Sequence, residues 1–483
     1  MTLTLDKEAA APLYRQIYRQ LRNQILAGGL PPGSKLPPTR RLAAAQDVAR
    51  ITVTQAYDQL QAEGYVITRP GAGTFVNEAL PDSGRASESP FTPALSDWGQ
   101  RVLRLAESGK EGTVARERAG GERSFIDFSF GRSFPHIFPY DVWRRLLARY
   151  LSTDDAMLSR YGSAAGFMPL RQAIADYVRR LRGVRCTVDQ VVVVNGAQQA
   201  LDILGRLLLD HGDTVLVETP GYTDAFALFR VHGARLLALP VDEHGFPVSA
   251  IPAGISARLA FVTPANQFPR GGAMPLPRRL ALLNWAREQD AFILEDDYDG
   301  ALRYEDRPLA ALQGLDEEGH VIYLGSFSKV LFPALRLGYV VLPPPLLDPY
   351  LRAKGIVDRG APTLTQAAVA DFITEGHFER HLRHLRLVYG RRRALLVEAL
   401  NTVLPCRVHF SEEPAGLHVM LYLPADFDEA QIVQQAAMAG VGVYPGAGYH
   451  LEVDPPPSIL LGFSGLSAAE IEEGVRRLGK ALC

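Results

Sequence analysis

The sequence has little cysteine and no long apolar run. Its 483 residues include three cysteines, Cys186, Cys406 and Cys483, which are far apart and have no metal-ligand spacing. They predict reduced thiols rather than a disulfide framework. No apolar run approaches the length of a membrane span, and the segment 1–11 lacks the apolar core of a signal peptide. We therefore expect a cytoplasmic protein with no membrane partner.

The chain also lacks an excess of charge of either sign. Its net charge is −2, so any basic surface that binds nucleic acid must be local. One such segment exists, because residues 1–79 contain nine Lys and Arg but six Asp and Glu. The length predicts about two to four domains.

The basic segment has the pattern of a winged helix-turn-helix. Apolar spacing predicts helices over 12–25 and from Arg50 to Gly64, with a short helix capped by Thr39 between them. A hairpin over 65–76 follows. The third helix has a polar face that can read a major groove. A small helical bundle with a solvated polar face is the alternative, but Arg69 beside a glycine-rich tip favours double-stranded DNA as the partner.

Composition divides the chain into three parts. We predict a DNA-binding domain over 1–77, a linker over 78–124 and an effector domain over 125–483. The linker is rich in Ser, Gly, Pro and Glu, with a short helix near 98–106 that carries Trp98. A smaller α+β subdomain is predicted from about residue 345.

Strands and helices alternate from Phe125 onward. This pattern predicts an α/β fold with an open, mostly parallel sheet that is covered on both faces. The predicted strands are 191–194, 215–218, 236–239, 259–263, 292–295, 322–324 and 337–342.

Lys329 lies between two apolar runs that look like buried strands, 321–324 and 337–342. Partial burial lowers the pKa of a lysine and makes it a possible nucleophile for an aldehyde. Ser326, Ser328 and Arg336 supply hydroxyls and a fork-shaped cation that suit a phosphate. Pyridoxal phosphate (PLP) needs both functions together, so these residues predict a PLP site.

Other polar groups follow the carboxyl ends of predicted strands, where open α/β sheets bind ligands. The free backbone amides at the helix start in Asn195–Gln198 suit an anion, and the ring of Tyr222 can stack on a flat ligand. Glu295–Tyr298 offers a carboxylate for a pyridine nitrogen, and Thr263–Pro269 offers amide side chains, including Asn266. The alternatives are an ordinary helix start and an acidic loop or divalent-metal site. We predict no metal ion.

The N-terminal segment resembles the GntR-type winged-helix regulators. The resemblance lies in the stretches Pro12–Ile17, Gly33–Arg40 and Leu60–Tyr65. In that family the arginine after the Pro-rich turn and the start of the third helix meet DNA. The resemblance therefore implies that DNA is contacted by Arg40, Arg50, Thr52 and Thr54.

The rest of the chain resembles fold-type I aminotransferases, and the two parts together resemble the MocR subfamily. The phrases Gly196–Leu201, Glu295–Asp299 and Gly325–Lys329 carry this match. The resemblance implies that Lys329 bonds to PLP, Asp296 pairs with the pyridine nitrogen, and Tyr298 lies near the ring oxygen. It also implies that Tyr222 stacks on the ring and that Tyr161 reaches the site of the partner subunit in a homodimer. The implied phosphate ligands are Ser326, Ser328, Arg336, Gly196, Ala197 and Gln198.

Two departures from these families bear on the ligand. The strand end Gly462–Leu466 has no arginine to clamp a substrate carboxylate, and Arg270 follows the Phe-Pro pair instead of Thr or Ser. We therefore expect a PLP-binding transcriptional regulator that senses PLP and controls vitamin B6 synthesis genes, as PdxR-type members do. The alternatives are a sensor of an amine or a sulfonate with Arg270 as anchor, a working aminotransferase, and a fold that has lost its cofactor.

Overall fold

The computed structural model describes residues 3–79, 94–108, 125–131, 137–151, 159–304, 309–404, 408–411, 413–452 and 454–482. They form two compact units, Met1–Ala94 and Leu95–Cys483. Much of the predicted linker (80–93 and 109–124) lies outside the described residues, as do Cys406 and Cys483. The domain boundaries at 77 and 124 stay a prediction.

The first unit has three helices followed by an antiparallel hairpin. They are α1 (Leu13–Leu26), α2 (Thr39–Ala45), α3 (Arg50–Ala62), β1 (Val66–Arg69) and β2 (Gly73–Val76). Helices α1 and α3 bury apolar positions that their spacing predicts, such as Ile17, Leu21 and Ile25 of α1. In α2 the prediction that Ala45 faces inward is wrong, because Ala45 is exposed and Ala43 is buried beside Leu42. The prediction for Thr39 is wrong: it is the first residue of α2, and the cap is Pro38, whose fixed backbone angle suits a helix start.

The second unit is built on a sheet of seven strands in the order β4-β10-β9-β8-β7-β5-β6. The neighbours from β9 to β6 are parallel, whereas β10 is antiparallel to both β4 and β9. The bounds are β4 (Val191–Val194), β5 (Thr214–Thr219), β6 (Arg235–Pro240), β7 (Leu259–Val262), β8 (Phe292–Asp297), β9 (Val321–Ser326) and β10 (Gly338–Val341).

Helices cover both faces of this sheet, as predicted. Alternate residues of β4 enter different cores: Val191 and Val193 pack on one side, Val192 and Val194 on the other. The helices of this unit are α4 (Asp97–Ser108), α5 (Tyr140–Leu151), α6 (Met168–Arg182), α7 (Ala197–Leu208), α8 (Thr223–Val231), α9 (Leu276–Gln289), α10 (Pro344–Val357), α11 (Thr363–Thr374), α12 (His377–Val403), α13 (Glu429–Met438) and α14 (Ala468–Leu482).

A smaller sheet follows the long helix α12. Its strand order is β11-β14-β13, all antiparallel, and a separate parallel pair joins β12 to β3. The bounds are β3 (Ile126–Asp127), β11 (His418–Tyr422), β12 (Val441–Gly442), β13 (Tyr444–Pro445) and β14 (Ser458–Gly462). None of the described helices is both long enough and apolar enough to span a bilayer.

The strand directions explain why distant residues meet at one edge of the large sheet. The parallel strands β5, β7, β8 and β9 end there, and β4 ends there too because it is antiparallel to β10. Since β10 runs the opposite way, its first residue lies at this edge, which brings the preceding Arg336 to the ends of its neighbours.

Within the second unit, helix α4 packs against α8. Arg101 Nε donates a hydrogen bond of 2.7 Å to the carbonyl oxygen of Val231, at the end of α8. Trp98 and Val102 form one wall of a surface cavity of about 270 Å³, and Gln198 forms part of another wall. The tryptophan that the sequence marks in the linker is therefore held against α7 and α8.

Candidate cofactor site

The predicted residues converge on one cavity of about 130 Å³ at the strand-end edge of the large sheet. Ten of the twelve predicted cofactor residues line it, together with Phe130, Thr263 and Phe268. The ten are Lys329, Asp296, Tyr298, Tyr222, Ser326, Ser328, Arg336, Gly196, Ala197 and Gln198.

Lys329 follows β9, the strand that the sequence predicts before it. Its Nζ lies 4.0 Å from the centroid of the Phe130 ring, and a Cβ atom on Gly131 would be 2.8 Å from the same nitrogen. Burial lowers the pKa of Lys329 below its ordinary value, although Asp299 and Asp296 oppose this effect. A lysine with a lowered pKa has more of its amine in the neutral, nucleophilic form.

Asp296 occupies β8 with its side chain turned toward the cavity. Alternation along the strand turns the neighbouring Asp297 to the other face, where Arg182 donates to both of its oxygens at 2.7 and 2.9 Å. Burial, reinforced by Asp297, raises the pKa of Asp296 to about 7. Its Oδ1 is buried without a hydrogen-bond partner. A buried acceptor of this kind fits a protonated ring nitrogen.

Tyr298 and Asn266 are joined beside Asp296. The amide nitrogen of Asn266 donates to the Tyr298 hydroxyl at 3.1 Å and to Asp299 Oδ2 at 2.9 Å. Asn266 is buried behind the lining residues and is not one of them. Burial raises the pKa of Asp299 to about 8. The phenol and the amide therefore form one network at the side of the cavity.

The opposite end of the cavity suits an anion. Gly196 has a φ of 82°, and a Cβ there would be 3.2 Å from Arg336 Nη2. The backbone at Gly196 can therefore approach the Arg336 guanidinium closely. Helix α7 begins at the next residue, and the free backbone amides of its first turn can bind an anion. Ser328 N donates to Ser326 Oγ at 3.1 Å, which fixes the turn that follows β9 and precedes Lys329.

The structure thus separates an anion end from an acidic ring end, with Lys329 on the wall. This arrangement fits every functional group of PLP. When bound, PLP supplies an aldehyde that bonds to an amine and a ring that withdraws electrons. Among the residues described, Arg336 and the start of α7 would hold its phosphate, and Asp296 would hold a proton on its ring nitrogen.

Three aromatic residues of the site, Phe130, Phe268 and His418, are not predicted from the sequence. Phe130 contacts Lys329 and packs against Phe268, and His418 makes edge contacts with both rings at centroid distances of 4.7 and 5.3 Å. His418 Nε2 pairs with the Pro269 carbonyl at 2.9 Å, and burial lowers the pKa of this histidine to about 3. No motif marks Phe130 or His418, because only the packing of distant segments brings them to Lys329.

Tyr161 lies away from the cavity. It is 84% exposed, and the Arg359 guanidinium is 5.7 Å from its ring centroid. Its predicted reach into the site of a partner subunit stays a prediction.

The predicted DNA-binding residues lie at the surface of the first unit. Arg40, Arg50 and Arg69 are exposed, whereas Thr52 and Thr54 are partly buried on α3. Arg50 Nε donates to Thr39 Oγ1 at 3.4 Å, and Arg69, the last residue of β1, pairs with Glu78 at 3.0 Å. Their contact with DNA stays a prediction.

Comparison with known proteins assigns both units. The family "Bacterial regulatory proteins, gntR family" matches residues 13–76, and "Aminotransferase class I and II" matches residues 130–478. "Probable rhizopine catabolism regulatory protein MocR" of Rhizobium meliloti is 38% identical over 481 residues, covering 99% of this chain and 95% of that protein. This chain belongs to the MocR subfamily of GntR-type regulators. As a MocR-type protein it is a PLP-dependent transcriptional regulator with a DNA-binding domain.

Two further matches are a regulator similar over nearly the whole chain and an aminotransferase similar to the second unit. "HTH-type pyridoxine biosynthesis transcriptional regulator PdxR" of Corynebacterium glutamicum is 29% identical and covers 96% of this chain and 94% of that protein. The solved structure of LysN, alpha-aminoadipate aminotransferase from Thermus thermophilus, is 31% identical with a TM-score of 0.69. It was complexed with N-(5'-phosphopyridoxyl)-L-leucine, and the match covers 78% of this chain and 98% of that one. The MocR-type chain thus combines a regulator's organisation with an aminotransferase fold.

Proposed function

We propose that this regulator senses PLP itself and controls genes of PLP (vitamin B6) synthesis. The observation that carries the proposal is the set of cations at the cavity. Among the described residues that line it, the only cations are Lys329 and Arg336. Both have a use in holding PLP, so neither is left for the carboxylate of an amino acid.

A buried carboxylate without a charged partner carries a large desolvation cost. Ser464, two residues after β14 in the stretch where the sequence lacks an arginine, is fully buried. Arg270 donates from Nη1 to the Val241 carbonyl at 3.1 Å and is not a lining residue. Arg270 is therefore poorly placed to bind a sulfonate or a carboxylate in the cavity.

The experiment is a titration of promoter DNA with apo and PLP-loaded protein. Loading should shift the apparent Kd for the operator, and the Lys329→Ala variant should show a much smaller shift. Equal operator affinities with and without PLP would refute PLP as the signal. An assay of amino-group transfer from a panel of amino acids should show little turnover, because the substrate clamp is missing.

One observation favours a second candidate, an amine that acts on the PLP-loaded protein. His418 is neutral near pH 7, and its Nδ1 is buried without a partner beside Phe130 and Phe268. His418 does not line the cavity, so it would accept a hydrogen bond from an uncharged group of an effector only if Phe130 or Phe268 moved. An added amine that changes both the absorbance of the bound cofactor and the operator affinity would support this candidate instead.

We also propose that the protein acts as a homodimer that places two winged helices on DNA. The exposed Tyr161 supports this, because a large aromatic side chain at the surface suits burial in an interface. Sedimentation should give a dimer, and Tyr161→Ala should weaken PLP binding if the residue reaches a partner's cavity.

A further inference from the structure

We propose that Asp358, paired with Lys354, is a positioning residue that sets the shape of the phosphate end of the cavity. Asp358 follows α10 and does not line the cavity. It is nevertheless bonded to the two residues that bracket the loop Gly196–Gln198. The proposal rests on the assignment of PLP phosphate to this loop and Arg336.

The carboxylate closes a ring of hydrogen bonds behind the loop. Asn195 Nδ2 and Gln199 Nε2 donate to Asp358 Oδ2 at 3.1 and 2.8 Å. Gln199 Oε1 in turn accepts from the backbone N–H of Asn195 at 2.9 Å. The entry and the exit of the loop are therefore fixed to one acidic group.

Lys354 keeps this carboxylate ionised and in place. Its side chain is 0% exposed, and its Nζ lies 3.0 and 2.7 Å from the two oxygens of Asp358. The backbone N–H of Gly360 donates to Oδ1 at 2.8 Å. Burial tends to raise the pKa of Asp358, but the bonds from Lys354, Gly360 and Gln199 outweigh it and lower the pKa. Five hydrogen bonds thus fix the group from three directions.

A small shift of the loop Gly196–Gln198 would change its contacts with a bound phosphate. Arg336 is already within 3.2 Å of a Cβ position at Gly196, so a small tilt of the loop changes the spacing between its amides and the guanidinium. Charge-assisted hydrogen bonds to phosphate weaken when this spacing changes. Disturbing Asp358 should therefore reduce the contribution of the phosphate to affinity and leave the ring end unaffected.

A comparison of PLP with pyridoxal, which lacks the phosphate, tests the proposal on the full-length protein. The variant Lys354→Met/Asp358→Asn removes both charges, so no buried cation is left unpaired. We expect its Kd for PLP to rise about 10-fold or more, while its Kd for pyridoxal changes by less than about twofold. Binding is followed by absorbance and by thermal shift, neither of which depends on DNA.

Asp348→Asn is the matched control. Asp348 lies on the same helix, α10, but pairs with Arg352 at 2.7 Å on the surface. This variant should bind both ligands as the native protein does. If the double variant fails to fold, Asn195→Ala breaks the ring from the loop side and should produce the same selective loss.

Equal losses of PLP and pyridoxal affinity would overturn the proposal, because they would indicate a general effect on the fold. Arg336→Gln separates this failure from failure of the phosphate assignment. If Arg336→Gln leaves the ratio of the two Kd values unchanged, the phosphate does not bind at this end. If Arg336→Gln reduces the preference for PLP over pyridoxal, but the double variant and Asn195→Ala do not, then the phosphate assignment holds and only the proposed role of Asp358 is wrong.

Discussion

The two compact units use charged side chains in opposite ways. In the first unit the arginines predicted to meet DNA are exposed, and its buried core is apolar throughout the residues described. In the second unit many ionisable side chains are buried, among them Asp296, Asp299 and Lys354. Exposed arginines can contact a large polyanion, whereas buried ionisable groups are held in one arrangement that suits a small ligand. Variants in the two units should therefore fail in different ways.

The largest effect is expected at Lys329. Lys329→Ala should abolish covalent attachment of PLP, because Lys329 is the lysine on the cavity wall. Borohydride reduction followed by peptide mapping should find the pyridoxyl label on Lys329 in the native protein and no label in the variant. Lys480→Ala, at an exposed position of α14, serves as the control. A label on any other lysine would contradict the assignment.

The next effect concerns the ring end. Asp296→Asn removes the carboxylate whose Oδ1 has no partner in the protein. PLP affinity should fall by about 3 kcal/mol, the upper range for a hydrogen bond to a charged group. Equilibrium dialysis measures the loss, and operator binding by apo protein should stay as in the native chain. An unchanged PLP affinity would show that Asp296 does not face the ring nitrogen.

A smaller effect is expected in the first unit. Arg50→Ala should weaken operator binding by about 1–3 kcal/mol, because it removes one contact to a base or a phosphate. The PLP absorbance should not change, since Arg50 is exposed and belongs to the other unit. A gel-shift titration checks the first expectation and a spectrum the second. Arg15→Ala, also exposed but on α1, is the control, and an equal loss in it would argue against α3 as the recognition helix.

The last effect is a dependence of the stability of the apo protein on pH. Burial and Asp297 raise the pKa of Asp296 to about 7, so the native state of the apo protein holds this proton more tightly than the unfolded chain does. Its contribution to stability is therefore lost as pH rises from about 4 to about 7. Asp296→Asn cannot ionise, and its Tm relative to native apo protein should increase from pH 5 to pH 8. A constant difference would show that Asp296 has an ordinary pKa.

The sequence predicts those residues of the site that lie beside strands with a clear apolar pattern. Lys329, Arg336 and Asp296 lie next to strands with clear apolar patterns, so their convergence follows from strand direction. The start of α7 at Ala197 is likewise visible in the pattern. The prediction for Thr39 fails because the proline before it starts the helix without a side-chain cap.

Residues that act across long separations could not be predicted. Asp358 reaches Asn195 over 163 positions, and His418 reaches Phe130 only when the small sheet packs beside the large one. Neither residue belongs to a motif or a periodic face that marks it. Such contacts depend on tertiary packing, which local patterns do not specify.

The docking of α4 has an optical consequence. Trp98 is one of three tryptophans in the chain, and it lines the same surface cavity as Gln198, which also lines the PLP cavity. Indole fluorescence overlaps the absorption of protein-bound PLP, so energy transfer between them should quench Trp98 emission when the cofactor is loaded. Trp143 and Trp285 also emit, so the quenching that is lost in Trp98→Phe would report on the attachment of this helix without a label.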